Sequence, residues 1–238
     1  MKKLGIIGGL GPMATAYFLQ LVVEMTDACN DQEHIEVLLH SKPQTPDRTN
    51  FILGRAKEDP QPYLLEMGKS LTAQGADVLA IPCITAHYFQ KELEKELKCP
   101  IIHAIEETAE FLKNEQISCV GIMATDGTIE SGLFQTVLEQ YGIKYVLPGQ
   151  AMQTNVMHLI YKNVKAGKNI EMDRFNETAS ALFENGAEVI LLGCTELSMI
   201  KRDYNIGKGF LDVMEVLARK AVLSCGTLKP EYEHLITK

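Results

Sequence analysis

The chain has no tryptophan, no Cys-x-x-Cys pair and no apolar run near the roughly 18 residues that a membrane-spanning helix needs. The missing Cys-x-x-Cys spacing argues against a dithiol redox motif or a ribbon-type zinc site. Positive charge is in short supply. Lys and Arg number 23 against 31 Asp and Glu, the formal net charge is −8, and no dense basic stripe appears. That balance argues against a nucleic-acid partner or an anionic membrane surface. An anionic ligand would need local cations or backbone N–H groups. The six cysteines, at 29, 83, 99, 119, 194 and 225, are scattered, several within apolar runs. The first residues read as Met-Lys-Lys followed by a strand, not as a signal peptide. The expectation is a reduced, cytoplasmic protein without a disulfide framework.

What is present is ordinary globular material: 238 residues, 46% hydrophobic and 23% charged, enough for one large domain or two small ones. Lys3 to Gly9 reads as a buried strand running into a Gly-rich turn. Pro12 suits the first turn of a helix, continued by the apolar spacing of Ala14 to Thr26. Ile35 to His40 reads as a second strand, followed by a Pro-rich loop from Ser41 to Thr49. A helix over Pro62 to Gln74 precedes a strand ending at Cys83. Helices over Ala86 to Leu97 and Glu106 to Asn114 flank a short strand at Pro100 to Ile102. The order then recurs: strand Cys119 to Thr125, helix Ile129 to Tyr141, strand Lys144 to Val146, helices Asn155 to Lys165 and Arg174 to Asn185, and a strand ending at Cys194. Alternating units of this kind predict parallel sheets flanked by helices, with ligands at the carboxyl ends of the strands.

The recurrence has register. Gly75-Ala76-Asp77-Val78 opens the run that ends at Cys83, and Gly186-Ala187-Glu188-Val189 opens the run that ends at Cys194. In each, the cysteine lies eight residues after the glycine, and the two segments are 111 residues apart. Gly5 and Gly121, which lead the two halves, are 116 apart, so a few inserted residues account for the difference. Phe210-Leu211-Asp212 with its helix echoes Ile101-Ile102-His103 with its own. The predicted fold class is α/β: two similar lobes, pseudo-twofold related, each a mostly parallel sheet flanked by helices, with the active site in the cleft between them. Residues 1–104 with 209–238 make the first lobe in this reading, and residues 105–208 the second.

One thiol at the end of each of two equivalent strands can flank a substrate from opposite faces. Taking a proton from one face of a carbon and returning it to the other needs that arrangement. An amino-acid α-proton is very weakly acidic, so its removal needs a close base and electrostatic support for the carbanionic transition state. Thiolate is favoured near helix N-termini and cations. Buried cysteine is otherwise a small hydrophobe, which suffices for Cys29, Cys99, Cys119 and Cys225.

The segments Gly5-Ile6-Ile7-Gly8-Gly9-Leu10-Gly11-Pro12, Pro43-Gln44-Thr45-Pro46-Asp47-Arg48-Thr49, Pro82-Cys83-Ile84-Thr85-Ala86-His87 and Gly193-Cys194-Thr195-Glu196 resemble, in order and spacing over essentially the whole chain, the aspartate/glutamate racemase family. The resemblance implies a cofactor-independent racemase of an acidic amino acid, aspartate first and glutamate next, commonly a homodimer. It implies that Cys83 and Cys194 are the two catalytic bases. It places Arg48 and Lys165 as substrate-contacting cations, Thr85 and Thr195 beside the substrate carboxylates, and Leu10 and Thr125 in the turns bordering the pocket. Glu196 tunes a thiol, orients a ligand or is simply an acid at a helix N-terminus. Arg48 and Lys165 also have plainer readings, as a surface charge and as a helix C-terminal cation. The family usually has Asn where this chain has Ile84, which puts substrate identity in question. His87 reads as a core or helix-surface histidine.

Rival readings are weaker. Gly9-Leu10-Gly11-Pro12-Met13-Ala14 fits G-x-G-x-x-A, but Pro12 removes a phosphate N–H donor and His40-Ser41 stands where a ribose-binding acid is expected. Cys83 with His87 and Cys99 with His103 have i, i+4 spacing but too few ligands for a closed metal site. Two further alternatives are a hydantoin racemase or maleate-isomerase-like relative, and a carboxylate-binding protein without catalysis.

Overall fold

A computed structural model describes residues 2–238. In chain order the first half runs β1 (Leu4–Gly8), α1 (Pro12–Met25), β2 (Val37–Ser41), α2 (Arg48–Ile52), α3 (Gln61–Ala73), β3 (Val78–Ala80), α4 (Gln90–Glu96) and α5 (Ala104–Asn114). The second runs β4 (Cys119–Met123), α6 (Asp126–Glu130), α7 (Leu133–Gln140), β5 (Lys144–Val146), α8 (Gln150–His158), α9 (Met172–Glu184), β6 (Val189–Leu192), α10 (Thr195–Asp203), β7 (Phe210–Asp212) and α11 (Val213–Cys225). All pairing within the sheets is parallel. The orders are β2–β1–β3 and β5–β4–β6–β7. A single parallel bridge from Leu79 to Ile101 stands in the first sheet where β7 stands in the second. The two sheets therefore share one topology, as the sequence repeat predicts.

Strand alternation decides the layering. Leu4, Ile6, Val78 and Ala80 face a core that also takes Val120, Ile122, Val189 and Leu191 from the second sheet, so one apolar core joins the lobes. Ile7, Leu79 and Ile81 face the other way, onto α3 and α4. Met123, Ile190 and Leu192 do the same toward α8 and α9. Strands buried on both faces read as continuous apolar runs, which is what the sequence shows.

Several elements depart from the sequence reading. Pro100 to Ile102 yields only the one bridge at Ile101. The residues after Cys83 form a 3-10 helix, Ile84–Phe89, before α4 begins. The helix expected over Ile129 to Tyr141 is broken, because Gly132 adopts a left-handed φ of 69° between α6 and α7. The helix expected over Asn155 to Lys165 starts earlier, at Gln150, and ends in a π-helical segment, Leu159–Val164. Arg48 opens α2 rather than lying in the preceding loop, with the Asp47 side chain accepting the Asn50 N–H as cap. β7 pairs with β6, so the chain leaves the second sheet after Asp212 rather than at 209, and returns to α1 and α5 only with α11. Among the described residues no helix is long and apolar enough to cross a membrane.

Candidate active site

Four strand ends converge on one place. Leu10 follows β1, Cys83 follows β3, Thr125 follows β4 and Cys194 follows β6. Around them closes a small, tight cavity. Its wall contains every site residue expected from sequence: Leu10, Arg48, Cys83, Ile84, Thr85, Thr125, Lys165, Cys194, Thr195 and Glu196. It also contains Asp47, Thr49 and Tyr161, which the sequence reading did not single out. Asp47 carried a usable signal, an acid immediately before a helix start. Tyr161 carried none, because it lies in the π segment, where the 3.6-residue period fails.

The two cysteines are placed alike and surrounded differently. Each takes an extended backbone and caps a helical turn, Cys83 before the 3-10 helix and Cys194 before the nine-residue α10. Cys194 Sγ donates to Glu196 Oε2 at 2.8 Å, and Thr195 Oγ1 donates to the same oxygen at 3.3 Å. Burial, then the Glu196 carboxylate, push the Cys194 thiol well above the ordinary range, against the pull of Lys165. Cys83 faces Arg48 instead. Burial works against the guanidinium charge, but Cys83, Asp47 and Glu196 outweigh it and raise the Arg48 pKa. One thiol thus lies beside a carboxylate and the other beside a cation.

Arg48 is a buried residue, not a surface charge. Its Nη1 donates to Pro46 O at 2.9 Å and Thr45 O at 3.4 Å, and its Nη2 to Leu10 O at 2.6 Å. Nε has no protein partner. The guanidinium is therefore anchored by the backbone, and the full fork is not free to grip a carboxylate. Lys165 follows the π segment and reaches across the cleft, 3.8 Å from Asp47 Oδ2 and 3.8 Å from Glu196 Oε1. Its Nζ sits 4.5 Å from the Tyr161 ring centroid. Burial lowers its pKa less than Glu196, Tyr161 and Cys194 raise it, so it stays charged. Tyr161 Oη donates to Asp47 Oδ2 at 3.2 Å, and burial pushes its phenol up to about 12.

Three threonine hydroxyls cluster at the cavity wall, two of them from lining residues. Thr85 Oγ1 lies 3.0 Å from both Thr125 Oγ1 and Thr128 Oγ1, which are 3.1 Å from each other. Thr85 comes from the first lobe and the other two from the second. Ile84 is buried in the wall and brings no polar group. His87 is a core histidine: its Nδ1 pairs with Gln90 Oε1 at 2.7 Å, and burial pushes its pKa down to about 4, so the ring is neutral.

Fold and site together define a two-lobed α/β enzyme with one cysteine from each lobe on a shared, charged cavity. The chain belongs to the Asp/Glu/hydantoin racemase family, whose model matches residues 7–221. It is a racemase, an isomerase. A solved structure of Picrophilus torridus aspartate racemase superposes with a TM-score of 0.83 at 33% identity, covering 98% of each chain. The broad specificity amino-acid racemase RacX of Bacillus subtilis (strain 168) is 25% identical over 92% of this chain and 96% of its own. Glutamate racemase of Aquifex pyrophilus is 26% identical over 71% of this chain and 65% of its own length.

Proposed function

We propose that the protein is a cofactor-independent racemase of acidic amino acids, aspartate first and glutamate next, working through two thiols. The observation that carries this reading is the pair of cysteines opening from equivalent strand ends onto one cavity that holds two cations. In the form described, the Cys194 thiol is the proton donor, since burial and Glu196 keep it protonated. Cys83, which opens onto the same cavity from the other lobe, takes the opposite role. With substrate between them, Cys83 as thiolate takes the α-proton while the Cys194 S–H delivers its proton to the opposite face. The electron pair of the broken C–H bond forms the new one, and the two sulfurs exchange protonation states. Lys165, between Glu196 and the cavity, steadies the Cys194 thiolate that results. Arg48 Nε, Lys165 and the Thr85, Thr125 and Thr195 hydroxyls are the donors for substrate carboxylates.

The test is proton NMR in D2O with the purified, reduced protein and each enantiomer of aspartate and glutamate, followed by chiral chromatography. The expected result is loss of the α-proton signal with formation of the opposite enantiomer. Cys83→Ala and Cys194→Ala should each lower racemisation in both directions by about 10²–10⁴-fold, the usual worth of a positioned acid or base. Full activity in either variant would sink the two-thiol mechanism.

A further inference from the structure

The catalytic cavity shares a wall with a larger pocket outside it. Leu10, Asp47, Arg48, Lys165 and Glu196 wall both spaces. The outer pocket has a volume of about 370 Å3 and opens to solvent. Its remaining wall is formed mainly by Gly11, Pro12, Met13, Pro43, Val164 and Met199, and among the described residues it adds no charge.

Most of the charge of the inner site is already answered without a ligand. Lys165 lies between Asp47 and Glu196. Arg48 is held by three backbone carbonyls, with Cys83, Asp47 and Glu196 around it. Two cations and two carboxylates therefore balance across the shared wall. If a buried cation depended on a substrate's second carboxylate, a monocarboxylate would leave that cation unpaired at high cost. Lys165 is not in that position, and Arg48 keeps only its Nε for a ligand, which the α-carboxylate common to all amino acids can take. Ile84 adds an apolar wall inside the cavity, and methionine side chains, which adapt to varied apolar shapes, line the pocket outside.

We propose that the same site also racemises amino acids with a long uncharged side chain, methionine being the type, whose side chain passes between Leu10 and Glu196 into the outer pocket. This rests on the racemase reading above and uses the same step: the α-proton goes to the Cys83 sulfur and the Cys194 proton arrives on the other face. Gly11 lines the outer pocket beside Glu196, on the shared wall. A Cβ built there would meet nothing closer than Glu196 Oε1 at 3.6 Å, an ordinary contact, and its backbone φ of −107° suits any residue. A larger side chain at this position narrows the way out without straining the chain.

The experiment measures α-proton exchange and chiral inversion with L-methionine, L-norleucine and L-aspartate, for the native protein, Gly11→Ala and Gly11→Leu. Native kcat/KM for methionine is expected within about tenfold of that for aspartate. Gly11→Leu should lower the methionine-to-aspartate ratio of kcat/KM at least about tenfold, with Gly11→Ala between the two. Inversion of aspartate with methionine and norleucine more than about tenfold poorer would overturn the inference and leave the acidic racemase reading intact. Inversion of methionine with a ratio unmoved by Gly11→Leu would overturn the placement of the side chain in the outer pocket. No exchange with any of the three would overturn this inference and the aspartate part of the racemase reading.

Discussion

At the scale of single residues, the candidate site was legible in two ways: the sequence repeat exposes the two cysteines at strand ends, and the family resemblance implies their partners. Cys83 and Cys194 stand at matched positions, and the cavity gathers both of them with all the partners expected from sequence. The neighbours that make the two thiols unequal were not legible. The Glu196 carboxylate meets Cys194 rather than Cys83 because α10 begins at Thr195 and its first turn folds Glu196 back onto the sulfur. Replacing that carboxylate with an amide removes a like charge beside a buried thiol. Glu196→Gln should therefore lower the Cys194 pKa, and alkylation of Cys194 by iodoacetamide, followed residue by residue by mass spectrometry, should begin at a lower pH. An unmoved alkylation profile would mean that burial alone sets the thiol's pKa.

At the scale of elements, strands were read well and helices less so. Continuous apolar runs mark doubly buried strands whatever surrounds them, whereas helix bounds depend on caps and breaks. The left-handed turn at Gly132 and the π segment at Leu159–Val164 each interrupt a pattern whose period would otherwise have continued. The π segment matters most, since it carries Tyr161 to the cavity and ends just before Lys165. Across the cleft, α2 of one lobe packs on α6 of the other. Gly127 of α6 approaches so closely that a Cβ there would lie 2.9 Å from Thr49 Cα. Backbone at that distance cannot yield as a side chain tip can. Gly127→Ala should cost about 1–3 kcal/mol by overpacking and reduce kcat/KM by shifting Thr49 and its neighbours in the cavity wall. Thermal unfolding and the exchange assay together check this. Native values in both would show the contact to be slack.

At the scale of the whole molecule, the lobes repeat even in what stands behind each cysteine. Four residues after Cys83 comes His87 and seven after comes Gln90; at the same distances from Cys194 come Ser198 and Lys201. The first set is neutral. The second carries ionisable groups: Ser198 donates to Asp212 at 2.7 Å and Lys201 donates to Glu215 at 2.5 Å. Burial, then Asp212, push Glu215 up to about 7 from its ordinary 4.5. The folded state holds that proton more tightly than the unfolded chain, so this group's contribution to stability falls as pH rises from about 4.5 to about 7. Buried His87, pushed down to about 4 from its ordinary 6.5, acts in the opposite sense, and its contribution is lost as pH falls through that window. The two oppose each other over the shared range. Glu215→Gln should unmask the histidine, so that Tm climbs more steeply than in the native protein between about pH 4.5 and 6.5, by on the order of 2–4 °C. Parallel Tm profiles would mean that Glu215 is not held protonated.

The unequal surroundings of two equally placed thiols also constrain the kinetics. Free enantiomers in water have the same energy, so the equilibrium constant of a racemisation is unity. By the Haldane relation, kcat/KM must then be the same in both directions, whatever the enzyme's shape. Nothing requires kcat and KM to match separately, and a cavity with a carboxylate at one sulfur and a guanidinium at the other is a diastereomeric host for the two hands of its substrate. The expected outcome, from progress curves started at each pure enantiomer, is unequal kcat values offset by KM values in the same ratio. Equal values of both would mean that the two faces of the substrate meet the same environment.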